Sequence, residues 1–152
     1  MNCGAPGYYF AIIDQADGRA VGTMALQRAD TANRVIEVGW VIYSERLKRS
    51  RIATEAQFLL AQYVFETLCY RRYEWKCDAL NQASHRAAER LGFRFEGIFR
   101  QAVVYKGRNR DTAWFAMLDT EWPQIKRRMQ CWLAEENFDE QGRQRVPLQE
   151  IK

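Results

Sequence analysis

Three places in the chain carry residue types able to do chemistry. The first is Lys48-Arg49-Ser50-Arg51, a basic hinge between an apolar run ending at Tyr43 and an amphipathic stretch beginning near Ile52. A helix N-terminus leaves backbone N–H groups unpaired and carries the positive end of the helix dipole, so it seats phosphate. With Arg46, Lys48, Arg49 and Arg51 around the turn and the Ser50 hydroxyl as a donor, the hinge suits a diphosphate. The plainer alternative is a solvated basic turn. The second place is Glu37, a carboxylate inside the apolar run VIEVGWV. Desolvation raises a carboxylate pKa towards the range of a general base, and an ion pair with an arginine on a neighbouring strand is the equal alternative. The third is Asn81 with Ser84, at the start of a second helical stretch, where Asn81 is a good N-cap. His85 lies about 100° further round that helix than Ser84 and is expected to be exposed and non-catalytic.

The elements that must position these residues are read from periodicity. YYFAIID (residues 8–14), a turn at Asp17-Gly18, AVGTMALQRA (20–29), a turn at DTANR (30–34) and VIEVGWVIY (35–43) predict an antiparallel meander. Ile52, Ala56, Leu59, Leu60, Tyr63, Val64 and Leu68 share one helical face, which predicts a helix over 52–69. A strand over 71–78 follows, then a helix from the Asn81 cap to Gly92 at C′. Next come a strand over 93–105, a turn over 106–110 and a strand over 111–118. Asp119 or Thr120 is expected to cap a last helix with Trp122, Ile125, Met129 and Trp132 on one face. The order β-β-β-α-β-α-β-β-α predicts an α/β (α+β) fold with a mixed, mostly antiparallel sheet flanked by helices. One domain over residues 1–137 and a polar, loosely held tail over 138–152 are expected.

Bulk properties narrow the function classes. The chain has 152 residues, 47% of them apolar, enough for one core. No segment approaches an uninterrupted membrane span, and MNCGAPGYYF is not a secretory signal, so a cytoplasmic protein is expected. Cys3, Cys69, Cys77 and Cys131 form no C-x-x-C pair and His85 is the single histidine, so reduced thiols and no metal site are expected. A net charge of +4 suggests an anionic partner. The charges are dispersed and form no nucleic-acid-binding motif, so a phosphorylated small molecule explains the hinge better than nucleic acid does.

At the hinge the sequence resembles a family. Lys48-Arg49-Ser50-Arg51-Ile52-Ala53 stands where the GNAT acyl-CoA N-acyltransferases carry their Q/R-x-x-G-x-G/A loop, and Thr54-Glu55-Ala56 resembles the T-E-A after it. Asn81-x-x-Ser84 with Leu91-Gly92-Phe93 looks like the N-x-x-S…L-G-F of the ribosomal-protein-alanine acetyltransferase (RimJ/RimL-like) branch, and Glu37-x-Gly39-Trp40 resembles its E-x-G-Y/W strand. The similar order covers roughly residues 8–122. The resemblance implies a GNAT-like fold and direct transfer of an acetyl group from acetyl-CoA to a primary amine in a ternary complex. The acceptor would be a protein N-terminal α-amine or a small-molecule amine. It implies that Lys48, Arg49, Ser50, Arg51, Ile52, Ala53 and Thr54 hold the pyrophosphate. Trp40, Val41 and Ile42 would meet the pantetheine arm through backbone groups on a strand splayed from its neighbour, while the Trp40 side chain is expected in the core. Asn81 would reach the pantetheine amide. Ser84 would contact CoA or protonate the departing thiolate, and Glu37 would act as base through a water. Tyr105, Trp114 and Phe115 are candidates for an acceptor pocket or for core. Asp111 would meet a cationic acceptor or pair with Arg108 or Arg110.

Three departures accompany the resemblance. Arg51 replaces the first loop glycine, either crowding the phosphates or adding a charged contact to them. Ala88 replaces the tyrosine that serves many of these enzymes as general acid. The family's first strand and two following helices have no counterpart. The alternatives there are a truncated protein or a partner, such as a second copy of the chain, that completes the site. A non-catalytic CoA-binding or interaction module is the second functional reading.

Overall fold

The computed structural model describes residues 7–151. Its elements are β1 (Tyr8–Asp14), β2 (Arg19–Asp30), β3 (Val35–Tyr43), α1 (Arg51–Gln62), β4 (Arg72–Asp78), α2 (Gln82–Leu91), β5 (Arg94–Tyr105), β6 (Arg108–Leu118) and α3 (Trp122–Leu133). One six-stranded sheet runs β1-β2-β3-β4-β6-β5. Only β3 and β4 are parallel, as the α1 crossover between them requires. The mixed, mostly antiparallel sheet is the one expected. Alternation sends Leu26, Ile36, Val38, Tyr73, Trp75, Phe115 and Met117 to the face covered by helices, where they are buried with Phe58, Val64, Leu91, Trp122 and Met129. Burying each such large side chain stabilises the fold by about 1.5–3 kcal/mol.

Caps fix the helix starts. Ser50 Oγ accepts from Ala53 N at 3.1 Å and opens α1. Asn81 Oδ1 accepts from Ser84 N at 3.1 Å and opens α2, which closes on Gly92 at φ +104°, a left-handed position suited to glycine. The α-helix at 51 ends at Gln62 rather than continuing to residue 69. Tyr63–Thr67 form a π-turn, with Leu68 N donating to Tyr63 O at 2.9 Å. Glu66 on that turn accepts from Trp122 Nε1 at 2.8 Å and Lys126 Nζ at 2.7 Å, tying it to α3.

Three further expectations are corrected. The β5–β6 turn is the pair Lys106-Gly107, both at positive φ, and not a five-residue turn. Neither Asp119 nor Thr120 caps α3. Its N-cap is Glu121, which makes no side-chain capping bond and instead accepts from Leu118 N at 3.0 Å. The segment from Phe138 is not loose. Leu148 is fully buried, Phe138 meets the Trp132 ring edge-to-face, and Asn137 Nδ2 donates to Trp132 O and Val146 O at 3.0 and 3.2 Å. A few apolar residues in a polar stretch suffice to seal the end of α3.

Candidate active site

The parallel pairing of β3 with β4 runs from Val35↔Arg72 to Val38↔Trp75 and stops there. Beyond it the two strands part. On its other side β3 is bulged: Ala25 faces Gly39 and Thr23 faces Ile42, which leaves Trp40 and Val41 opposite Met24 alone. Trp40 sits at φ +49°. A bulky residue in that region costs about 1–3 kcal/mol, which the surrounding structure must offset. The result is a cleft of about 530 Å³ in which Gly39, Trp40 and Val41 face Asn81 and Ser84 across β4. Backbone groups of β3 past Val38 have no β4 partner, so they are available to a ligand.

Ser84 is partly buried and not solvent-facing. Its Oγ accepts from Trp75 Nε1 at 2.9 Å, so its own O–H is left to act as a donor, with the Cys77 sulfur beside it as one acceptor. Burial pushes the neighbouring Cys77 thiol up, and the Ser84 hydroxyl beside it acts in the opposite direction. Trp40 is 61% exposed, so its side chain is not core. Ile42, paired with Thr23 and exposed, lies outside the cleft lining.

Glu37 is buried, and its oxygens are taken: Oε1 accepts from Gln27 Nε2 at 2.8 Å and Oε2 from Lys76 Nζ at 2.9 Å. Gly39 makes room for this, since a Cβ there would meet Gln27 Nε2 at 2.3 Å. Lys76 also reaches Glu74 at 2.7 Å and lies over the Trp114 ring at 3.9 Å. The side chain adopts the ion-pair alternative, with a lysine as the near partner rather than an arginine alone; Arg28 stands off at 3.6 Å.

The hinge cations have separate fates. Arg46 pairs with Asp14 and Asp17, and Lys48 pairs with Glu45. The Arg51 guanidinium donates to Leu133 O and covers the Phe138 ring at 4.7 Å, so its side chain is engaged with the end of α3 and the segment after it. Arg49, exposed at φ +59°, has no carboxylate partner among the described residues. Ala53 and Thr54 are buried, and Thr54 Oγ1 accepts from Arg90 at 3.0 Å. Ile52 faces the groove between β1 and α1. Any anion held here would meet the Arg49 side chain and the first N–H groups of α1.

The sequence reading missed the far wall of the cleft, formed by Lys76, Arg108 and Arg110 beside Tyr105. A bulge delivers it: between Phe99↔Thr112 and Val103↔Arg110 three β5 residues face one, with Gln101 at φ +50° and its N–H donating to Asp111 Oδ1 at 2.7 Å. Asp111 is therefore a bulge clamp, not a partner of Arg108 or Arg110. A positive-φ residue with no glycine gives little sequence signal. Phe115 is core, and Trp114 stacks on Phe99 at 4.3 Å. His85 is partly buried, not exposed, edge-on to Phe115 at 5.2 Å. Ala88 is fully buried, so its position offers the cleft no proton donor.

Comparison with known proteins matches residues 3–94 to the Acetyltransferase (GNAT) domain. The chain is 32% identical over 106 residues to the Bacillus subtilis (strain 168) protein named "Putative ribosomal N-acetyltransferase YdaF", covering 70% of the chain and 57% of that protein. A crystal structure of a GCN5-related N-acetyltransferase from Brucella melitensis superposes with a TM-score of 0.92 at 59% identity, over 94% of this chain and 65% of that one. A probable GNAT-family acetyltransferase from Chromobacterium violaceum ATCC 12472 gives a TM-score of 0.73 at 47% identity, over 77% of this chain and 59% of that one. The chain thus spans less than two thirds of the length of each of these proteins.

Proposed function

The chain belongs to the GNAT acetyltransferase family, and from that premise we propose that it moves an acetyl group from acetyl-CoA to a primary amine, either a protein N-terminal α-amine or a small-molecule amine. The observation that carries this reading is the parting of β3 and β4 after Val38↔Trp75, which opens a cleft between strained backbone at Trp40 and the Ser84 hydroxyl. Acetyl-CoA supplies an activated acyl thioester. Unpaired β3 backbone at Gly39–Val41 would hold the arm next to it, with Asn81 alongside. Arg49 and the first turn of α1 would take the diphosphate.

The neutral acceptor nitrogen would attack the thioester carbonyl and the C–S bond break; the departing sulfur takes a proton through the Ser84 hydroxyl, the acylated nitrogen gives its proton to solvent, and Ser84 ends protonated. An α-amine is roughly 10–15% neutral at pH 7, so solvent is base enough for it. In this scheme Glu37 holds Lys76 in the cleft wall rather than taking the proton itself. The RimJ/RimL-like branch, a cytoplasmic setting and a second copy of the chain at the site belong to the same proposal. Among the described residues no helix is long and apolar enough to cross a membrane.

The test is incubation with acetyl-CoA and a panel of peptide and small-molecule amines, following free-thiol release and acetylated product by mass spectrometry. Stoichiometric thiol and N-acetyl product support transfer. Buried Ala88 and the fully engaged Glu37 favour the second reading, a CoA-binding module without turnover. That reading expects acetyl-CoA binding with no acetylated amine.

A further inference from the structure

The cleft wall across β4 from Trp40 is cationic, and its charges are unequally matched. Lys76 is answered by Glu37 and Glu74, and Arg108 by Asp78. Arg110 has no ion-pair partner of its own among the described residues, and its buried Nε makes no hydrogen bond. Arg110 nevertheless lines the cleft, where a cation whose neighbouring carboxylate, Asp78, is already held by Arg108 favours an anionic ligand. The hinge and α1, where the diphosphate would sit, follow β3, whereas Arg108 and Arg110 are on β6 beyond β4. A negative group at Arg110 would therefore belong to the other substrate. Building on the acetyltransferase reading, we propose that the acceptor is an amine bearing a carboxylate a few bonds away, which Arg110 binds with Arg108 beside it. The two sources of that chemistry are a free amino acid and a peptide with an acidic residue next to its N-terminus. A polyamine or a basic N-terminus meets repulsion instead.

The experiment uses the full chain with acetyl-CoA and three tripeptide amides, Ala-Asp-Gly, Ala-Ser-Gly and Ala-Lys-Gly, with free alanine and glutamate as the second arm. The expected kcat/KM for the aspartyl peptide exceeds that for the lysyl peptide by about tenfold at low salt, carried by KM, and the gap narrows as salt screens it. Arg110→Gln should abolish the preference and Arg110→Glu should reverse it. Peptide affinities for the CoA-saturated chain are measured in parallel, so the order is read even if no acetyl group moves. Equal or lysine-favouring peptide values, or absence of peptide binding, together with no binding or turnover of free alanine and glutamate would overturn the inference, as would a preference for the carboxylate-bearing amine untouched in both variants; amino acids taken without peptides would assign the free-amino-acid source. Acetyl-CoA binding and turnover, scored separately, report on the underlying reading.

Discussion

Arg49 and Arg51 stand two positions apart in one basic turn and face different work. Arg51 closes the end of α3 through Leu133 O, while Arg49 is left with its charge unanswered among the described residues. Replacing Arg49 by Ala should raise the acetyl-CoA Kd about tenfold by calorimetry, the scale of one charge-assisted phosphate contact. Arg51→Ala should instead lower the urea midpoint and shift that Kd by less than about threefold. Ser84→Ala removes the proposed proton donor and should lower kcat about a hundredfold with little change in acetyl-CoA Kd, read by steady-state kinetics beside calorimetry. The hinge was legible in sequence because capping serine, basic residues and helix start are local. The fate of each cation was not, since Arg51 finds its acceptor 82 positions away. Likewise the partner of Glu37, Lys76, comes from a strand 39 positions on.

At the scale of elements, periodicity carried the meander, the crossover and the α2 caps. Irregularities decide the site, and they were hidden. The Trp40 bulge and the three-against-one bulge at residues 100–102 arise from pairing register, which no local pattern encodes. The π-turn after α1 is another. It presents Glu66 to Lys126, Trp122 and Gln62, and these hydrogen bonds hold its carboxyl at about 2, below the usual 4.5. A carboxylate whose pKa falls on folding adds stability that is present above the unfolded value and is lost as pH drops through the folded one. Wild-type stability should therefore decline between about pH 4.5 and 2, and Glu66→Gln should flatten part of that slope in urea titrations across pH.

For the molecule as a whole, residues 138–151 join the helical layer to the basic hinge. Leu148 is fully buried, and Phe138 lies between Trp132 and the Arg51 guanidinium. Their polar composition hid this, because a few apolar side chains, Phe138, Leu148 and Ile151, do the packing. Ending the chain after Asn137 should cost about 2–5 kcal/mol, the range for emptying one such core site, and should lower the urea midpoint accordingly. The same deletion should shift the acetyl-CoA Kd by no more than Arg51→Ala does, because Arg51 keeps its bond to Leu133 O. Most direct of all is hydrogen–deuterium exchange of the full chain with and without acetyl-CoA. Protection at residues 39–42 and at 49–52, with none at 100–105, is the result expected of a donor seated between β3 and β4 on the α1 turn. Unchanged exchange at residues 39–42 with acetyl-CoA demonstrably bound would place the donor elsewhere and contradict this assignment of the cleft.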